Sequence, residues 1–255
     1  MNISLIQIFG AFMMIGVRIT GVMLFAPFFG SVVIPARVKA MLVMALTALL
    51  YPMLSGKLPQ VNISQWPMMA FGELLIGVAL GIATNVVFDG VQMAGQVLSI
   101  QMGYSLVNIL DPQTQVESTV MATFHQTVAM LIFLRLNVHI WILSALARSF
   151  EYLPPFTGHF GPAFTSAALE AGASVFVIGI EIAAPVLSAT LLADIALGLL
   201  GKASPTLPLM LMGPAIKSML GILILISALK YWPGMFETLF LNSMNQADHL
   251  LHLAR

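Results

Sequence analysis

Charge is scarce in this chain. Its 255 residues hold 10 lysines and arginines and 10 aspartates and glutamates, so only 8% are charged. A soluble domain carries about 25%. The formal net charge is +0, which leaves no basic field to hold nucleic acid. Cysteine is absent, which excludes disulfides and thiolate metal sites and is neutral about compartment. The first basic side chain is Arg18, after seventeen residues without side-chain charge. With no basic n-region ahead of the apolar run, a cleavable signal peptide is not expected, and the N-terminal stretch is expected to stay on the mature chain. No run alternates apolar and polar between hairpin turns, so strands are not expected. What the chain does have is apolar surface: 59% hydrophobic residues and a mean hydropathy of +0.98. That places it among integral membrane or membrane-assembled proteins.

The long runs rich in Leu, Met and Ala read as helices in an all-α chain of hairpins. They are expected over 4–27, 38–51, 68–102, 117–134, 140–152, 164–199 and 209–230, with an amphipathic tail from Pro233. The residue before a proline is pushed out of the helical region, so ends are expected near Ala26-Pro27 and at Pro52. A kink is expected at Pro185. The stretch RLNVH (135–139) reads as a tight connection. The residues form one domain with no low-complexity linker.

Several segments fit a simple span poorly. A spanning helix needs about 20 apolar residues, whereas the uncharged stretch Ala40 to Gly56 has seventeen residues and contains Pro52. Lys217 and Lys230 leave twelve uncharged residues between them. Glu73, Asp89, Glu170, Glu181, Asp194 and Lys217 fall inside helical runs. Each costs about 2.5–3.5 kcal/mol at mid-membrane, so they must face protein, one another or water. Arg37, Lys39 and Lys57 do not alternate cleanly with the acidic connector at Asp111 and Glu117, and no orientation follows from the positive-inside rule. Either helices are re-entrant, or the apolar surface faces other subunits.

Patterns for chemistry are weak. The five histidines form no HExxH, and His249 with His252 supplies two ligands where zinc needs three or four. Ser105 lies in GYSL, an incomplete nucleophile elbow. Glu170 and Glu181 lie three helical turns apart on nearly one face, which suits an ion relay or, more simply, pairing with lysines between helices or subunits. Gly77 and Gly81 make a GxxxG pair that permits close helix approach. The 18 methionines fit pliable packing.

One segment stands out. QMGYSLVNILDPQTQVES (101–118) is apolar in its first half and then breaks at Asp111-Pro112. It is too sticky for an exposed loop and too broken for a spanning helix. From its residues it reads either as a buried interhelical connector or as a movable, water-excluding segment.

This stretch, with LFAPFFGSVVIPARVKAMLVMALT (24–47), LIFLRLNVHIWILSAL (131–146) and LADIALGLLGKASPTLPLMLMGPAIKSMLGILIL (192–225), resembles the FliR/SctT family, membrane components of the type III protein-export gate. The resemblance runs in order along nearly the whole chain, and the first two stretches look closer to the flagellar than to the injectisome branch. It implies a non-enzymatic subunit without cofactor, made of a FliP-like part (about 1–160) and a FliQ-like hairpin (about 163–240). Its implied partners are FliP-like, FliQ-like, FlhB-like and FlhA-like proteins, the basal-body ring, membrane lipid and unfolded export substrates. The implied place is the bacterial inner membrane at the flagellar basal body. The segment matching 101–118 would be a channel plug formed by Gly103, Tyr104, Ser105, Leu106, Val107, Asn108, Ile109, Leu110, Asp111 and Pro112. Arg37, Lys39, Glu181, Asp194, Lys202 and Lys217 are candidates for subunit contacts or the channel entry. The rival of another class is a stand-alone ion-coupled transporter using Glu73, Asp89, Glu181 and Asp194, although the paired internal repeats of such folds are not visible.

Overall fold

The computed structural model describes residues 5–31, 33–54, 63–104, 119–155, 157–158, 160–204 and 209–254. Among these there are eight α-helices and no strand: α1 Leu5–Phe25, α2 Ala36–Leu54, α3 Trp66–Gln101, α4 Val120–Arg135, α5 Val138–Tyr152, α6 Pro162–Ala203, α7 Leu209–Ala228 and α8 Trp232–Leu253. The amphipathic tail is the last of these. Its buried Phe236, Phe240, Ala247, Leu250 and Leu251 recur at helical spacing. The expected tight connection after Arg135 is two residues long, with Asn137 left-handed at φ 56.

One boundary differs in a way that matters. The helix expected to stop at Pro52 runs on to Leu54 and begins at Ala36. Proline in a last turn removes one hydrogen bond and opposes one carbonyl, so the turn can close past it. At 19 residues, α2 is long and apolar enough to cross a membrane, as are α1, α3 and α6. The pairs α4 with α5, and α7 with α8, reach that standard only when each pair is taken as one broken span. With 36 and 42 residues, α3 and α6 are roughly 54 and 63 Å long at 1.5 Å per residue. Both exceed a hydrocarbon core of about 30 Å. Pro185 lies inside α6.

The chain divides into two compact units. The first comprises Met1–Val86, Asn137–Ala173 and Phe240–Arg255. Its core gathers Met14, Ile15, Ile19 and Val22 of α1, Ile76 and Leu80 of α3, and Ile142, Leu146 and Phe150 of α5. The GxxxG pair has its partner here, in α1. A Cβ on Gly77 would run into the Arg18 carbonyl, one on Gly21 would come 2.8 Å from the Leu74 carbonyl, and one on Gly81 would come 2.8 Å from the Phe25 Cβ. Three glycines thus let α1 and α3 touch backbone to backbone.

Arg18 lies at this crossing and is fully buried. Its Nε donates to Glu73 Oε2 at 2.7 Å, and its Nη1 donates to the carbonyls of Ser149 at 3.0 Å and Leu153 at 2.9 Å. The guanidinium lies 4.3 Å over the Phe150 ring. One side chain therefore joins α1, α3 and the C-terminal end of α5, where the partial negative charge of the helix end favours a cation; the Ser149 carbonyl accepts from the Leu153 N–H at 3.0 Å as well. The local sequence pattern had not marked Arg18 for this role.

The second unit comprises Val87–Leu136 and Ser174–Leu239. Small residues again set helix contacts. A Cβ on Gly90 would meet Ile178 at 2.6 Å, and one on Gly95 would overlap Ala122. Phe88 and Phe133 meet edge to face at 5.5 Å. His125 is buried with Nδ1 2.7 Å from the Met121 carbonyl and its ring 5.1 Å from Trp232.

Replacing one partner of the Arg18–Glu73 pair should be far worse than replacing both. Arg18→Met strands a buried carboxylate without its guanidinium and should cost about 3–5 kcal/mol. Arg18→Met with Glu73→Met should recover most of that loss, because two apolar side chains fill similar volume. Denaturant unfolding in detergent measures the difference, and equal losses for the single and double variants would refute it.

Candidate functional site

The candidate site is the point where the chain leaves α3 for 105–118, all within the second unit. Helix α3 ends in a Schellman motif: Tyr104 N–H donates to the Ser99 carbonyl at 2.9 Å and Gly103 N–H to the Ile100 carbonyl at 3.1 Å. Gly103 has φ +83, the left-handed conformation that glycine alone adopts without cost. Space is short as well as conformation. A Cβ on Gly103 would lie 2.9 Å from Pro214 Cβ.

The three residues of this turn each grip α7. Met102 is buried against the notch left by Gly221, where a Cβ would come 2.6 Å from the Met102 methyl. Gly103 rests on Pro214. The Tyr104 hydroxyl lies 2.6 Å from the Ser218 hydroxyl. Pro214, Ser218 and Gly221 fall at i, i+4 and i+7, one face of a helix. The segment returns at Thr119, which caps α4 by accepting from the Ala122 N–H at 3.3 Å. Ala122 is the residue seated against Gly95. Both ends of 105–118 are therefore fixed to packed helices.

Beside this turn lies a polar bridge in apolar surroundings. Asp194 of α6 accepts from Gln101 Nε2 at 2.9 Å through Oδ2 and pairs with Lys217 Nζ at 3.0 Å through Oδ1. One carboxylate so connects α3, α6 and α7. Its side chain is 42% exposed and that of Lys217 18%, so the pair carries the modest energy of a partly solvated ion pair, up to about 1 kcal/mol. Its effect is chiefly on register.

Of the residues singled out in the sequence, Gly103 and Tyr104 stand at the turn, and Asp194 and Lys217 are brought together. Ser105, Leu106, Val107, Asn108, Ile109, Leu110, Asp111 and Pro112 lie outside the described residues. Arg37, Glu181 and Lys202 are exposed, while Lys39 is half-buried and donates to the Gly30 carbonyl at 3.0 Å. Glu170 and Glu181, read above as an ion relay or as partners of lysines between helices or subunits, are both exposed on α6. Sequence reasoning missed Gln101, Ser218 and Pro214 as partners of the turn. The spacing of Pro214, Ser218 and Gly221 was the available signal. Among the described residues no three histidine, aspartate or glutamate side chains gather as for a metal ion.

Residues 9–243 match the family model described as bacterial export proteins, family 1. The chain belongs to this family. This FliR-family protein is 32% identical over 228 residues to the flagellar biosynthetic protein FliR of Pectobacterium carotovorum, covering 88% of this chain and 86% of that one. It is 30% identical over 234 residues to FliR of Escherichia coli (89% and 87% covered) and 29% identical over 227 residues to FliR of Bacillus subtilis (88% and 87% covered). All three relatives are flagellar, in keeping with the flagellar side of the resemblance. The chain is a non-enzymatic membrane component of the flagellar export apparatus.

The α3 turn should be the least tolerant point of the FliR-family site. Gly103→Ala forces a side chain into left-handed φ at about 1–2 kcal/mol, beyond any contact with Pro214. Gly213→Ala, whose Cβ would meet only Leu197 at an ordinary 3.8 Å, should be neutral or stabilising, since alanine favours a helix. Thermal midpoints in detergent test this, and equal losses at both glycines would contradict the assignment.

Proposed function

We propose that this chain is a structural and gating subunit of the flagellar type III export channel and that 103–112 is its plug, with Gly103 and Tyr104 as the fixed base and 105–112 as the movable part. The observation that carries the reading is the anchoring of an apolar segment at both ends. A glycine-dependent helix stop and a threonine cap fix where it leaves and returns. Its sequence, Leu106 to Leu110, is apolar enough to exclude water, and Asp111-Pro112 supplies a turn. A dewetted constriction of this kind closes a pore to ions.

In this reading the chain assembles with FliP-like and FliQ-like subunits, beside FlhB-like and FlhA-like proteins, in the inner membrane at the basal body. Unfolded flagellar proteins pass through. The division into a FliP-like part and a FliQ-like hairpin belongs to the same proposal. The assembly reading is supported by the uncovered apolar surface on α2, α6 and α7: Met41 and Leu49, Phe176 and Leu192, Met219 and Leu223 are all exposed. Patches of this extent mark surfaces that meet other protein or lipid. Glu181 and Lys202 sit on exposed parts of α6 where they are available to neighbouring subunits. The ion-coupled transporter is less well supported, because Glu73 and Asp194 are already met by Arg18 and Lys217.

Deleting Leu106 to Leu110 should leave assembly intact and make the resting channel leak. Replacing Val107, Ile109 and Leu110 with serine should leak less, since bulk stays while the water-excluding surface is lost. Particle yield and membrane conductance are measured on the same variants. Lost yield, or normal yield without added conductance, points to a buried connector and rejects the plug.

Lys217→Glu should impair assembly and export by setting a second carboxylate against Asp194. Exchanging the charges with Asp194→Lys and Lys217→Asp should restore part of both. Normal assembly of the Lys217→Glu protein would show that the lysine is merely solvated.

A further inference from the structure

The connector between α1 and α2 forms a groove beside Arg37 and Lys39, two residues offered above as subunit-contact or channel-entry candidates. Phe28, Phe29, Val33, Ile34, Val38 and Leu42 line most of its cavity of about 390 Å³, and Lys39 stands at its edge. Its apolar surface is open: Phe28 is 40%, Val33 88% and Val38 49% exposed. Phe28 is held at φ 67, a conformation rare for a bulky side chain, with its ring edge-on to Phe29 at 5.4 Å. Backbone strain of this kind is kept where the surrounding structure imposes it, and such positions cluster at ligand sites.

Two cations accompany the groove. Arg37 is exposed, and the Lys39 ammonium spends one of its three donors on the Gly30 carbonyl. Neither makes an ion pair among the described residues. The sequence has no aspartate or glutamate before Glu73, so nothing nearby in the chain neutralises them. The connector also lies at the shared end of two helices that are each long and apolar enough to cross a membrane, and only 11% of the α2 window is buried.

We propose that this groove binds an anionic phospholipid, with the headgroup phosphate on Arg37 and Lys39 and an acyl chain over Phe28, Val33 and Val38. Uncompensated basic residues at a helix end attract anionic lipid, and an apolar surface beside them suits the chain of the same molecule. An acidic protein partner would satisfy the cations but leave the groove's apolar walls without a match. The proposal is independent of the plug and stands or falls separately.

The test reconstitutes the full chain in phosphatidylethanolamine vesicles containing a trace of phosphatidylglycerol or phosphatidylcholine, each with the same photolabel on its acyl chain. Labelling of 28–42 is read by mass spectrometry and normalised to labelling of the exposed apolar face of α6, which also reports correct insertion. Each cation near an anionic surface contributes roughly fivefold, so a preference for phosphatidylglycerol of roughly tenfold or more is expected. Arg37→Gln with Lys39→Gln should abolish the preference, and Arg37→Lys with Lys39→Arg should keep it. Equal labelling by the two lipids overturns the proposal, as does a preference that survives the neutral double variant. Displacement of the label by inorganic phosphate would mean a site for a soluble anion and also overturns it. So does loss of labelling at 28–42 in chain purified with its partner subunits, which would make the groove a protein contact.

Discussion

The first unit depends on one buried ion pair. Arg18 and Glu73 are both shielded from solvent, and removing an ion from water costs several kcal/mol even after relaxation. The pair persists because Arg18 has several good partners at once: a carboxylate at 2.7 Å, two helix-end carbonyls and an aromatic face. The three glycines make this possible. Without Gly21, Gly77 and Gly81 the backbones of α1 and α3 could not come close enough for an arginine in the middle of α1 to reach a glutamate on α3. Apolar packing alone would let these helices slide. A guanidinium with fixed donor directions does not.

In the second unit the same economy of small residues serves a different end. Gly90, Gly95 and Gly221 accept side chains or backbone from neighbouring helices, so the end of α3 is held by shape as well as by hydrogen bonds. The bridge from Gln101 through Asp194 to Lys217 is too exposed to contribute much stability. It does fix which face of α7 meets the α3 turn. The proposed plug needs such a boundary: the chain is held by α7 up to Tyr104 and by the α4 cap at Thr119, and one glycine dihedral sets where it leaves α3.

Much of this was legible in the sequence. The helices followed from long apolar runs, and most ends fell where a proline or a short polar connector stood. Pro52 misled because proline was read as a stop, although in a last turn it costs only one bond. Gly103 was singled out in the sequence at the head of the expected plug, and it forms the left-handed end of α3. The Arg18–Glu73 pair was not, since it joins residues 55 positions apart and no local period encodes such a contact. Asp194 and Lys217 were each noticed as charges out of place, and their pairing needed the α6–α7 geometry. The GxxxG motif announced a close approach without naming α1 as the partner.

The wide sequence separation of the Arg18 partners also governs how the protein is made. Arg18 leaves the ribosome 55 residues ahead of Glu73 and 135 ahead of Leu153. At 5–20 residues per second that last interval is roughly 7–27 s. Until it ends, α1 carries an arginine whose final ligands do not yet exist, at a cost of about 2.5–3.5 kcal/mol if it stays at mid-membrane. Made before α3 and α5, α1 is thus seated only after both, and until then the nascent chain depends on the insertion machinery, or on water at its edge, to shelter one guanidinium.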